Sequence, residues 1–411
     1  REKYMSNRKS SFRFVSTIIA IIAISAVTYA SPWSQALSYL GFNSEVNVEQ
    51  SAEAAPIVRT VETETGRSFM APLVGTYNIP GDYADLAAAV ADLNTQGVGG
   101  AVVLNVVAGN PQTAPLGGYV VGGTGSLVLT TTSVSNTVTI QGNGNTITAP
   151  TPQATGNLND AIIKLIGADW ITVTGFTINE NPANTATTAA SNNMTEWGVA
   201  LLYVATTDGA QNNTIVGNTI DLDRTYQNTF GIYSNSTHSA TTISTSATAT
   251  GAAGGNSGLR IYGNTIQDVN NGIVVVGPTG AADANTGIDV GGAGGAQANT
   301  VSNFGTTGTF SSYANVSGTV NGILVRNSNG SNVSFNSITS SVGGTTAGTL
   351  NGIQIPGSSS TPTATFTNNI KSNSISLQSA AASGAINGIN YPSGSASPTS
   401  VVNINSNNFY N

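Results

Sequence analysis

Residues 136–150 read NTVTIQGNGNTITAP: two β-type triplets, Val138-Thr139-Ile140 and Thr146-Ile147-Thr148, flank a run of Gly and Asn. Variants return as NNTIVGNTID from Asn212, GLRIYGNTIQ from Gly258, SNVSFNSITS from Ser331 and NNIKSNSISL from Asn368. Asn-x-Ile recurs at Ile147, Ile220, Ile266, Ile338 and Ile375, with Ile178 a looser member, and Gly-Ile recurs at Ile232, Ile273, Ile323, Ile353 and Ile389. Repetition on this scale predicts a solenoid in which each coil is one unit. Coils in a parallel β-solenoid lie about 4.8 Å apart, so equivalent residues stack. Ile140, Ile147, Ile178, Ile220, Ile266, Ile338 and Ile375 are therefore expected inside. Asn is expected at the turns, where it tolerates left-handed backbone and can ladder through its amide.

Composition agrees with a folded β protein. Charged residues are 8% of the 411, against about 25% in ordinary domains. Gly, Ser, Thr and Asn enrichment alone would suggest disorder. The regular β-branched runs argue for strands instead. There is no Cys, so stability rests on packing and hydrogen bonds.

The run Val15–Val27 follows basic Arg8, Lys9 and Arg13 and precedes Thr28-Tyr29-Ala30, the order of a secretory signal. It is too short for a membrane span of about 20 residues. Residues 1–30 hold five of the 12 basic and one of the 19 acidic residues, so the mature chain carries 7 − 18 = −11. Phosphate neutralisation is then excluded as a mode of binding, and no nucleic-acid partner is expected. Residues 31–73 read as a linker or lead-in. Residues 74–411 read as an all-β parallel solenoid opened by one helix, Tyr83–Asn94, with Asp82 as N-cap and Gly97 past its end. That helix is expected to cover the first coil. Ten to twelve coils are expected from about Ala101, and the stretches 238–256 and 339–348 are expected to be loops thrown out between coils.

The pattern resembles the right-handed parallel β-helix repeats of the pectate-lyase-like superfamily. A closer likeness covers about Gly75 to Asn235, through YNIPGDYADLAAAVADLNTQGVGGAVVLNVVAGN, NTVTIQGNGNTI, DAIIKLIGADWITVTGFTIN, TEWGVALLYVATTDGAQNNTIVGNTIDL and TFGIYSNS. That order resembles large secreted β-helix proteins of Gram-negative bacteria, often multidomain and often ending in a type IX secretion sorting domain. The resemblance implies a secreted or cell-surface location and a monomer within a larger chain. The ending VVNINSNNFYN stops inside a repeat, so a longer natural chain is expected.

Enzymes on this fold need clustered charge. The Gly-His-Gly and Arg-Ile-Lys motifs of polygalacturonase-like hydrolases are absent, and His238 sits alone in a polar stretch. After Asp289 there is no Asp or Glu, so a glycosidase pair must come from Asp160, Asp169, Glu180, Glu196, Asp208, Asp221, Asp223, Asp268, Asp283 or Asp289. Asp221 and Asp223 flank Leu222 on an expected strand and would share one face. With Arg224 beside them they are the leading site candidates, and calcium is the cofactor two such carboxylates would suit. Two solvated acids on an exterior face is the plainer alternative. Trp170, Trp197 and Tyr203 are candidates for stacking on a sugar, against the alternative of core or ladder aromatics. The expected function is an exported scaffold, adhesin-like or glycan-binding and without catalysis, whose partner is an extracellular polysaccharide or cell-surface glycan. The alternative is a polysaccharide lyase or glycoside hydrolase.

Overall fold

The computed structural model describes residues 60–62, 68–188, 191–234, 238–240, 248–280, 282–305, 319–340, 349–356, 365–379, 384–392 and 400–410, with side chains from residue 71 onward. The leader 1–30 and most of the lead-in lie outside them. Two compact units divide at Ala71. In the first, Thr60–Glu62 and Ser68–Met70 form an antiparallel pair.

The second unit is all-β, with three parallel sheets of ten, nine and eight strands. Sheet 1 begins at Leu73–Ile79 and ends at Val401–Asn405, sheet 2 runs from Gln112–Thr113 to Asn408–Phe409, and sheet 3 from Tyr119–Gly122 to Ile386–Asn390. From Val138 onward the chain visits the sheets in strict rotation, as Val138–Gln141, Thr146–Thr148, Ala161–Ile166, then Ile171–Thr174 back in sheet 1. This is the arrangement expected of a parallel β-solenoid. The nine steps between the ten strands of sheet 1 span about 43 Å at 4.8 Å each. Without Leu73–Ile79, nine strands of sheet 1 remain among the described residues, one short of the ten to twelve coils expected from about Ala101.

All seven predicted Ile residues are buried. Six of them stand in one column of sheet 2: Ile147, Ile178, Ile220, Ile266, Val301, Ile338 and Ile375 pair in register. Val301 fills the 72-residue gap between Ile266 and Ile338, where Asn-Thr-Val replaces Asn-x-Ile. Ile140 belongs to the facing column of sheet 1, with Leu104, Val173, Ile215, Ile261 and Val290. The Gly-Ile motif supplies the third column in sheet 3, through Ile163, Val199, Ile232, Ile273, Ile323 and Ile353. Each buried aliphatic side chain contributes about 1.5–3 kcal/mol, and the columns make these terms continuous.

The Asn residues of Asn-x-Ile form the expected amide ladder but do not occupy the left-handed position. The left-handed position is one residue earlier, at Gly217 and Gly263 and, without glycine, at Phe335, Ser372 and Ser406. The Asn that follows is buried and hydrogen-bonds to its equivalent one coil on. Both the backbone N–H and Nδ2 of Asn218 donate to Asn264 Oδ1, at 3.0 and 3.1 Å. The same pair of bonds joins Asn264 to Asn299, Asn336 to Asn373 and Asn373 to Asn407. Ile178 is the looser member because Phe176 replaces the Asn there, and the Phe176 N–H still donates to Asn218 Oδ1.

Helix α1 spans Leu86–Gln96, three residues later than predicted at its start. Its N-cap is Asp85, whose Oδ1 accepts from Ala88 N–H at 2.8 Å, while Asp82 accepts from Asn78 N–H in the preceding turn. Gly97 follows at φ 63° as predicted. Leu86, Ala89, Val90 and Leu93 are buried, and the helix packs on the first strands of sheets 1 and 3. A short helix α2, Val128–Thr131, lies against it.

Sheet 3 has a second core on its outer side, made by Trp197, Ala200, Phe230, Tyr233, Val274 and Ala240. Ala240 overturns the expectation of a loop thrown clear over 238–256. It is fully buried, and its N–H donates to Leu158 O at 2.7 Å. Farther on, Thr250 N–H donates to Thr206 O, and the buried Asn256 donates to Leu201 O. The described ends of this stretch therefore seal a sheet face. Residues 241–247 and 341–348 lie outside the described residues.

Candidate functional site

The predicted acid pair is separated by the end of its strand. Thr219–Asp221 is the strand, and Asp223 lies in the turn beyond, where its Oδ1 accepts from Thr225 N–H at 2.9 Å. Asp221 stays on the outer face and accepts from Gln267 Nε2 at 2.9 Å, one coil up. Leu222 between them is buried, as the plainer alternative required. The winding also brings in Asp268, an acid the sequence offered without a partner. Arg224 Nε lies 3.9 Å from Asp268 Oδ1, and Asn303 Nδ2 also bonds Asp268. Burial raises the Asp268 carboxyl, the charges of Asp221 and Asp223 add to this, and Arg224 opposes it. Calcium takes six to eight oxygens. Among the described residues no three His, Cys, Asp or Glu are placed to share a metal ion.

The aromatic candidates scatter. Trp197 is fully buried and stacked on Tyr233, with centroids 4.6 Å apart and planes at 13°, so it offers no face to a sugar. Trp170 is half-buried at φ 59° in the turn before sheet 1, with its N–H donating to Gln211 O. Tyr203 is half-buried against His238, at 4.1 Å between centroids, with its hydroxyl 3.2 Å from Thr248 Oγ1.

The densest charged group lies elsewhere, at the head of sheet 3. Asp160 precedes the strand Ala161–Ile166, and Glu196 precedes the next strand up, Trp197–Leu202. Their side chains are 2% and 0% exposed. Glu196 accepts from Tyr226 OH at 2.6 Å and Asn192 Nδ2 at 2.9 Å on Oε1, and from Asp160 N–H at 2.8 Å on Oε2. Glu180 joins through Thr195 N–H and Asn184 Nδ2. Loss of water drives every carboxyl here upward: Glu196 well above the usual range, Glu180 less so, and Asp160 to about 6 despite the opposing charge of Lys164. Burial pushes the Lys164 ammonium down, and Asp160 and Glu196 oppose that. Asp169, elsewhere on the solenoid, is raised by burial to about 6. Sequence reasoning listed these acids without joining them. The usable signal was phase: Asp160 and Glu196 hold the same position before paired strands, since Ala161 pairs with Trp197.

These shifts predict an unusual pH dependence. An acid raised by folding keeps its proton while the unfolded chain has lost it, so stability falls as pH rises through the interval. For Asp160 and Asp169 that interval is 3.8 to about 6. His238, pushed down by burial, acts in the opposite sense below 6.5, one group against several acids. The melting temperature is expected to decline from the acid side of this interval towards neutrality, and Asp160→Asn with Glu196→Gln to flatten the decline. Melting curves at constant ionic strength check this; a parent whose melting temperature rises over the interval contradicts it.

No family model, curated protein or solved structure matches this chain.

Proposed function

We propose that the chain is the body of an exported, right-handed parallel β-helix, closed at its N-terminal end by α1, that works outside the cell or on its surface as a stiff glycan-binding scaffold without catalysis. The observation that carries this reading is the polar outer row of sheet 2. Thr146, Thr177, Thr219, Thr265, Thr300, Ser337 and Ser374 pair in register along seven strands. Two residues on, Thr148, Asn179, Asp221, Gln267, Ser302, Thr339 and Ser376 form a second row on the same face. Such rows offer a long, nearly uncharged series of hydroxyls and amides to a polyhydroxyl partner. Location outside the cell rests on the leader-like residues 1–30 and on the resemblance to secreted β-helix proteins.

The polysaccharide lyase or glycoside hydrolase alternative draws on the perturbed acids, since such groups gather at active sites. Asp160 and Glu196 are sealed from solvent, however, while Asp221 is held by Gln267, Asp223 by the Thr225 N–H of its turn, and Arg224 by Asp268. The test follows binding and turnover together on a glycan panel, reading unsaturated products by ultraviolet absorbance alongside new reducing ends. Retention without product is expected, with or without calcium. Turnover abolished by Asp223→Asn or Arg224→Ala would replace the scaffold with the enzyme.

A further inference from the structure

A cleft of about 490 Å³ opens where the N-terminal turn of α1 meets the first connection from sheet 1 towards sheet 3. Its volume falls within the range of about 300–1,000 Å³ typical of small-ligand sites. The rings of Pro80, Pro111 and Pro115 and the methyl of Ala87 line it. Tyr119 also lines it, 3% exposed, and its hydroxyl is taken by Thr113 O at 3.0 Å. These surfaces present C–H groups and no charge.

The polar groups are few, and most are already committed. Gln112 accepts from Leu86 N–H on Oε1 and donates through Nε2 to Asn110 O. It thus ties the helix start to the loop and forms part of the wall. Asn110 spends Nδ2 on Val107 O, which leaves Oδ1 as an acceptor. Asp85 spends Oδ1 on the helix cap, which leaves Oδ2. Ala87, at the second helical position, has an N–H with no intrahelical acceptor. Asp85, Asn110 and the Ala87 N–H therefore give the cleft two acceptors and one donor beside its apolar rings, and the exposed Thr113 adds a hydroxyl that can do both. No Lys, Arg or His lines it, and Asp85 sets a negative charge at its edge, so phosphates and acidic sugars are disfavoured.

A ligand matching this set donates at least twice, also accepts, and has a C–H face. We propose that the cleft binds a short neutral glycan, one or two sugar units of a longer chain, with vicinal hydroxyls on Asp85 and Asn110. This deepens the glycan-binding reading above and rests on it. The walls are held in place before binding. Asn94, on α1, donates to Val120 O at 2.7 Å and accepts from Gly122 N–H at 2.8 Å, which locks the helix to sheet 3. Such preorganisation lowers the ordering cost of binding.

Titration calorimetry with neutral glucose-, xylose- and mannose-based oligosaccharides tests the site, with uronate and amino-sugar oligomers as controls. Ala84 lines the cleft and is exposed, so Ala84→Trp fills the opening without entering the core. Asp85→Asn keeps an N-capping side chain and removes the charge. We expect saturable binding of at least one neutral series, weakened more than about tenfold by Ala84→Trp at unchanged melting temperature; tenfold corresponds to about 1.4 kcal/mol. Asp85→Asn should weaken it less, and uronates should bind poorly. Binding equal in the parent and Ala84→Trp overturns the cleft but leaves a glycan-binding scaffold standing. Absence of neutral binding overturns the cleft assignment, and absence of binding to the whole set, uronates and amino sugars included, overturns the scaffold reading as well. Preference for amino sugars, lost in Asp85→Asn, would show a cation site and overturn the neutral assignment.

Discussion

Asn264→Leu is expected to lower stability by about 3 kcal/mol or more. The side chain is 1% exposed and sits in the ladder with bonds on both sides. Its Oδ1 accepts from Asn218 N–H and Nδ2, and its Nδ2 donates to Ile215 O at 2.9 Å and Asn299 Oδ1 at 3.0 Å. Leucine has similar bulk, so packing changes little. What changes is that Asn218 N–H and Ile215 O lose a partner in the dry interior, at about 1–3 kcal/mol for each such group. Asn218 Nδ2 retains Val173 O and softens the loss. Ser302→Ala, on the outer row of sheet 2, should change stability by less than about 0.5 kcal/mol. Urea midpoints of the two variants make the comparison; similar midpoints would mean the ladder contributes nothing.

The second large effect is expected at Gly231. The Gly-Ile repeat has a steric cause that lies across the core. A Cβ at Gly231 would stand 2.3 Å from Ile266 Cγ2 and 2.9 Å from Gly272 O. Gly198, Gly272, Gly322 and Gly352 repeat this geometry against Ile220, Val301, Ile338 and Ile375. Each glycine of sheet 3 thus opens the space that an aliphatic side chain of the sheet 2 column fills. Neither neighbour yields easily, because one is a packed β-branched side chain and the other is backbone in a ladder. Overpacking of this kind costs about 1–3 kcal/mol and sometimes more. Gly231→Val should reach or exceed the upper end, and Gly231→Val with Ile266→Ala should recover part of the loss. A double variant no more stable than Gly231→Val would refute the pairing.

The periodic part of this fold was legible because it is written locally. Asn-x-Ile and the residue before it place a turn, a ladder residue and a core residue within four positions, and every predicted Ile is inside. The Asn ladder is legible as well; the left-handed residue before each Asn is not, because it is often glycine but is also Phe335, Ser372 and Ser406, which carry no turn signature. The Gly-Ile repeat is visible but unexplained in the sequence, because its partner is a side chain 16 to 35 residues away, in a different sheet. The same distance hid the acid cluster: Asp160, Glu196 and Tyr226 meet only once three coils are wound. The composition of 238–256 reads as a loop, yet the buried methyl of Ala240 packs into the outer core of sheet 3. Asp221 and Asp223 do not share one strand because it ends between them, a boundary that the alternation of acid, Leu and acid does not mark.

Removal of one whole coil tests most directly the claim that the repeat is the unit of structure. Deleting Ser337–Asn373, which is 373 − 337 + 1 = 37 residues, joins Asn336 to Ser374 at the same phase of the winding. Val301 would then stack on Ile375, Ile323 on Ile389 and Val333 on Ile404, and the ladder would pass from Asn336 to Asn407. In a stack of nearest-neighbour units, stability is close to a sum over coils and interfaces, so an integral deletion is tolerated. The account predicts a cooperatively melting domain, shorter by about 4.8 Å in small-angle scattering. Deleting only Ser337–Ile355 breaks the phase and should unfold everything after it. A whole-coil deletion that unfolds as completely as the half-coil deletion would contradict the account.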